Sequence, residues 1–78
     1  MPTDCHYSAI RQILADNLKV ARRAKNFTQE TLADKSGLAI RHLQKIEAAE
    51  VNVTLGTIAK IAKALRVSVH TLFELRRQ

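Results

Sequence analysis

The sequence predicts an all-α domain of five short helices. Three observations carry this expectation. Apolar residues recur at spacings of three and four rather than two. Two Gly and one Pro in 78 residues leave few breaks. Ser, Thr, Asn and Gly stand where helices need to start and stop. Val and Ile occur, but never in the strict alternation of a half-buried strand. A chain of 78 residues has room for one domain. At this size only about 60% of the unfolded surface is buried, so the core is small and pairing with a second copy would help.

Met1 to Tyr7 read as a flexible lead-in, and residues 8–78 as one domain. From Ser8, Ile10, Leu14, Leu18 and Ala21 form one apolar stripe. This first helix should end near Lys25 or Asn26, because Asn tolerates a left-handed stop. Thr28 can cap a second helix, Gln29 to Ser36, with Thr31 where a capping box would place Glu. Phe27 and Leu32 can form a hydrophobic staple across that start. Gly37 stops it. Helical spacing resumes after Ala39, with Leu43 and Ile46 inward, and runs to about Ala48. Two short helices around a turn containing Gly give a helix-turn-helix outline. Ala49 to Val53 read as a loop. Thr54 caps a fourth helix, Leu55 to Leu65, with Leu55, Ile58, Ile61, Ala62 and Leu65 facing the core. Ser68 caps a fifth, with Val69, Leu72 and Phe73 apolar.

Lys and Arg number 13 against 7 Asp and Glu, a net charge of +6 and a pI near 10.1. Such a balance points to a polyanionic partner. The one Cys, Cys5, rules out an intrachain disulfide and fits a reducing cytosol. The first residues show neither a basic start nor a long apolar run, and no stretch approaches the roughly 20 apolar residues of a membrane span. The protein therefore reads as soluble and cytoplasmic, with no membrane partner. An enzyme is not expected, because Asp16, Asp34 and the Glu residues sit on solvated helical faces. Cys5-His6, His42 and His70 have no zinc-site spacing, and no Gly-rich phosphate loop occurs. Neither a metal nor a cofactor is implied.

Several segments resemble the Cro/C1-type, or XRE-like, family of helix-turn-helix transcriptional regulators. They are Phe27-Thr28-Gln29-Glu30-Thr31-Leu32-Ala33, Ser36-Gly37-Leu38 and Leu43-Gln44-Lys45-Ile46-Glu47. The pattern continues through Asn52-Val53-Thr54-Leu55, Thr57-Ile58, Ala62-Lys63-Ala64-Leu65, Val67-Ser68-Val69 and Leu72-Phe73. It covers residues 14–73. The resemblance implies a compact five-helix, lambda-repressor-like DNA-binding domain. The third helix would enter the major groove while the second braces it, and a two-fold dimer would bind a pseudo-palindromic operator on double-stranded DNA.

Family positions then map onto named residues. Gln29 would bond a backbone phosphate or a neighbouring base pair. Ala39, Ile40, Arg41, Gln44 and Lys45 would face the bases. Arg41 can bind guanine bidentately, Gln44 can pair with adenine, and Lys45 can reach guanine or a phosphate. Ile40 and Ala39 can pack on thymine methyls or sugars, and His42 can reach a phosphate. Asn52, with Lys19, Arg23 and Lys35, would add phosphate contacts. Arg22 and Glu47 match a family ion pair that fixes the recognition helix to the body. Val69, Phe73 and Leu75 are the expected dimer surface. In each case an ordinary solvated face is the plainer alternative.

Four departures stand out from the family pattern. Ala48-Ala49-Glu50 replaces a Gly followed by Lys or Arg. Val53 replaces Pro. Arg66 replaces a Gly and would need a left-handed conformation. Ala39 replaces a Ser or Thr cap. Three functions fit: a stand-alone repressor or restriction–modification controller, an antitoxin that binds a toxin protein and autoregulates its operon, or an interaction module that has lost DNA binding.

Overall fold

The computed structural model describes residues 6–75. Five helices follow in order: α1 (His6–Ala24), α2 (Gln29–Ser36), α3 (Ile40–Glu47), α4 (Leu55–Leu65) and α5 (Val69–Leu72). Among the described residues there is no strand. α2 packs on both α3 and α4, α1 packs on α3 and α5, and α4 meets α5. One core results, in which Leu18, Leu32, Leu43, Ile46, Ile61, Leu65 and Leu72 are almost wholly buried. Each such side chain contributes roughly 1.5–3 kcal/mol by leaving water.

α1 begins earlier than its spacing suggests. His6 and Tyr7, expected in the lead-in, form its first turn. The guanidinium of Arg11 lies over the Tyr7 ring at 5.2 Å, an i,i+4 contact that favours the extra turn. The rest of the expected lead-in, Met1–Cys5, lies outside the described residues. Ile10 belongs to the sequence stripe yet is 50% exposed. The packed part of α1 starts at Leu14, so the stripe outruns the bundle. Leu55, expected in the core, is 84% exposed. It occupies the first position of α4, ahead of the turn that packs.

Three helices start with the same device. Thr28, Thr54 and Ser68 each accept a hydrogen bond from the backbone N–H three residues on, and each hydroxyl also bonds that residue's hydroxyl. The partners are Thr31, Thr57 and Thr71. Among the four helices whose cap is described, α3 is the exception, because Ala39 offers no side-chain cap.

Four helices also stop alike. Asn26, Gly37, Ala49 and Arg66 take positive φ, between 58° and 70°. The following N–H then reaches back across the helix end, Phe27 to Arg22, Leu38 to Ala33, Glu50 to Lys45 and Val67 to Ala62. This is the pattern of the Schellman motif. Phe27, Leu38 and Val67 pack against the core from that position. The left-handed stops expected at Asn26 and Arg66 are present. The sequence does not predict the one at Ala49, although the family Gly missing there marks the position. The loop after it is half-buried at Val51 and Val53, both packed against the core.

Candidate nucleic-acid interface

α3 has two faces. Leu43, Ile46 and Glu47 are buried at i, i+3 and i+4. Arg41, Gln44 and Lys45 form the opposite, exposed face, with Ile40 at its edge and His42 half-buried on its flank. Ala39 is exposed just ahead of them. The Glu50 N–H bonds the Lys45 carbonyl at 3.0 Å, which folds the loop back toward the helix. Glu50 therefore lines one shallow recess with Arg41, Gln44 and Lys45. A carboxylate stands inside the face expected to meet DNA.

A hydrogen-bonded chain sets the attitude of this helix. Arg22 Nε donates to Glu47 Oε2 at 2.7 Å, and its Nη2 donates to Glu47 Oε1 at 3.2 Å. Arg22 Nη1 donates to the Phe27 carbonyl at 2.9 Å. Gln29 Nε2 donates to Glu47 Oε1 at 2.9 Å, and Gln44 Nε2 approaches Gln29 Oε1 at 3.5 Å. α1, α2, α3 and the α1–α2 turn are thus tied through a single carboxylate that is 4% exposed. Fork-to-carboxylate pairing of this kind fixes angle as well as distance. Gln29 lies at the start of α2, as its expected phosphate role requires, but its amide is engaged inside the protein.

The remaining sequence-derived candidates are dispersed. Asn52 Oδ1 accepts from Arg11 Nη1 at 3.4 Å, so its oxygen faces α1. Lys19 lies 3.9 Å from Asp16, and with Arg23 and Glu74 they line a groove on α1. Lys35 sits over the Phe27 ring and borders a groove with Lys60, Lys63 and Arg66. No residue of α3 lines that groove. The net charge of +6 is therefore spread over several faces rather than gathered on α3. Val69 is exposed, Phe73 half-buried and Leu75 80% exposed. Phe73 borders a small apolar groove with Tyr7, Ile10 and Val53, whereas Leu75 borders the α1 groove. The expected dimer residues are not brought together in one groove.

Two positioning residues escaped sequence reasoning. Asn17, 3% exposed, donates from Nδ2 to the carbonyls of Leu72 at 3.0 Å and Glu74 at 2.7 Å. It satisfies the last carbonyl of α5 and one just beyond it, and holds that single turn on α1. Its signal was legible: an Asn on the Leu14–Leu18 face of a helix is a buried polar group that must find partners. Arg11 is the second, and only the fold places Asn52 beside it. Among the described residues, no three His, Cys, Asp or Glu side chains come together as a metal site. No described helix is long and apolar enough to cross a membrane.

A helix pair joined by a Gly turn, with its second member exposed on one face and locked on the other, defines a DNA-binding helix-turn-helix regulator. The model of the helix-turn-helix family HTH_3 matches residues 18–72. The chain is 42% identical over 69 residues to the control protein C.SmaI of Serratia marcescens, an alignment spanning 88% of this chain and 82% of that protein. Its fold is similar to the crystal structure of the restriction-modification controller protein C.AhdI from Aeromonas hydrophila. There the TM-score is 0.80 and the identity 37%, over 83% of this chain and 98% of that one. A hypothetical transcription factor from Neisseria is similar at a TM-score of 0.81 and 34% identity, over 83% and 75% of the two chains. The chain belongs to the XRE-like helix-turn-helix family of transcription regulators. It is a regulator by descent and not an enzyme.

Proposed function

We propose that this protein is a sequence-specific transcriptional regulator of the controller type, acting in the cytoplasm as a homodimer on a pseudo-palindromic operator. One observation carries the reading: α3 turns Arg41, Gln44 and Lys45 outward together, while Leu43, Ile46 and the Arg22–Glu47 pair hold its other face to the body. Arg41 reads guanine through its guanidinium fork, and Gln44 reads adenine. Lys45 and Asn52 position the backbone, and Ile40 packs on a thymine methyl or a sugar. Likeness to the controllers C.SmaI and C.AhdI supports the biological setting. Two copies related by a two-fold axis would place two α3 helices one turn of DNA apart, about 34 Å.

Selection of bound duplexes from a random library tests the reading. The expected product is an inverted repeat with half-site centres one or a few helical turns apart, and light scattering is expected to report a dimer. Recovery of no preferred sequence would remove the proposal.

A further inference from the structure

Resting on the DNA-binding reading, we infer that Arg11 and Asn52 together seat one backbone phosphate of the duplex, with Arg11 supplying the charge and setting the sense of the Asn52 amide. The loop after α3 has no cation of its own. From Ala48 to Val53 it carries Glu50 and neither Lys nor Arg. The fold brings one from α1: Arg11 Nη1 donates to Asn52 Oδ1 at 3.4 Å. Arg11 lies ahead of residues 18–72, the stretch that matches the family, so the family pattern does not supply this residue.

A guanidinium only donates hydrogen bonds, so the Asn52 atom that faces Arg11 is the carbonyl oxygen. The NH₂ group of Asn52, an exposed residue, is then directed away from Arg11. A phosphate oxygen of the duplex backbone only accepts, and it meets the pole it requires. With the amide reversed, oxygen would face oxygen. The charge of Arg11 is not neutralised within the protein: among the described residues no carboxylate forms an ion pair with it, and its Nε is enclosed without a hydrogen-bond partner. The Tyr7 ring lies 5.2 Å from the guanidinium and limits its swing. Glu50 lines the recess of Arg41, Gln44 and Lys45, whereas Arg11 and Asn52 line another, so the loop's carboxylate is not part of the seat. Such a seat positions the duplex without reading its bases.

The test measures affinity for the duplex recovered from the random library, with its phosphates replaced one at a time by neutral methylphosphonates. The full chain is compared with its Arg11→Met, Arg11→Lys and Asn52→Ala variants. In the unaltered chain, one replacement per half-site is expected to weaken binding about tenfold through this seat. In Arg11→Met and in Asn52→Ala that same replacement should cost less than about twofold, with every other phosphate unchanged. Arg11→Met should also lower the log-log salt slope by about 0.9 per seat, and Arg11→Lys, which keeps the charge and a donor, should restore it. An interference pattern in folded Arg11→Met identical to that of the unaltered chain overturns the inference while leaving DNA reading intact. So does a pattern in which Arg11→Met and Asn52→Ala silence different phosphates, because the two residues would then not share one. Equal loss at every phosphate also overturns it, since Arg11 would then only support the fold. If the unaltered chain selects no sequence, the regulatory reading itself falls and takes this inference with it. Thermal melting shows which variants are folded, and Asn52→Ala, on an exposed loop, keeps the comparison decisive if Arg11→Met is not.

Discussion

Glu47 accepts three hydrogen bonds, two from Arg22 and one from Gln29, in a place where water hardly reaches. Removing one partner of such a pair leaves the other charge buried and unpaired, at a cost of about 3–5 kcal/mol. Glu47→Ala is expected near the lower bound, since Arg22 keeps the Phe27 carbonyl. Replacing both partners, Arg22→Met with Glu47→Leu, should recover part of the loss, and urea denaturation of the three variants measures the difference. Ala49 and Arg66 carry a second residue-scale signal. Both hold left-handed backbone without being Gly. That conformation costs an L-residue roughly 1–2 kcal/mol, partly offset by the greater unfolded-state entropy of Gly. Ala49→Gly and Arg66→Gly are each expected to stabilise by about 0.5–1 kcal/mol, read as a rise in melting temperature. Gly37→Ala should shift it the other way, although nothing crowds the added Cβ.

At the scale of the element, α3 is the least well started of the four helices whose cap is described. Thr28, Thr54 and Ser68 cap their helices, while Ala39 has no side-chain oxygen to accept from a first-turn N–H. Ala39→Ser is expected to add about 1 kcal/mol of stability. α3 instead depends on tertiary partners, Leu43 and Ile46 in the core and Glu47 on Arg22. Function on this element divides by side chain. Arg41→Ala should cost about 1–3 kcal/mol of binding and relax choice at one base pair. Glu50→Gln should tighten binding to all sequences by about 0.5 kcal/mol, the scale of one exposed charge interaction. Binding isotherms on the selected duplex at two salt concentrations check both.

At the scale of the whole molecule, every helix but α1 is too short to persist alone, since isolated helices below about 12–15 residues are marginal in water. α2 and α3 have 8 residues each, and α5 has 4. Their persistence depends on a core that is small, so a single cavity matters. Leu65→Ala, at the meeting of α4 with the rest, is expected to lose about 2–5 kcal/mol, a large share of a small domain's stability. Far-UV circular dichroism during urea titration would show the midpoint fall.

Periodicity and caps placed α2 and α4 to the residue, because Thr28, Thr54 and Gly37 act through local backbone geometry. The outward set Arg41, Gln44 and Lys45 was legible for the same reason: helical spacing alone puts it opposite Leu43 and Ile46. Other features depended on groups far apart in the chain. Ile10 and Leu55 carry helical spacing but lie beyond the packed region, and spacing does not say where a neighbouring helix ends. Asn17 meets Leu72, Arg11 meets Asn52, and Glu47 gathers Gln29 beside Arg22 only once α1, α2, α3 and α5 have closed. Local order is written in nearest-neighbour chemistry, so the sequence by itself determined the extents of α2 and α4 and the outward side of α3. The direction of a buried hydrogen bond depends on which donor arrives at which acceptor, and only the tertiary structure decided that.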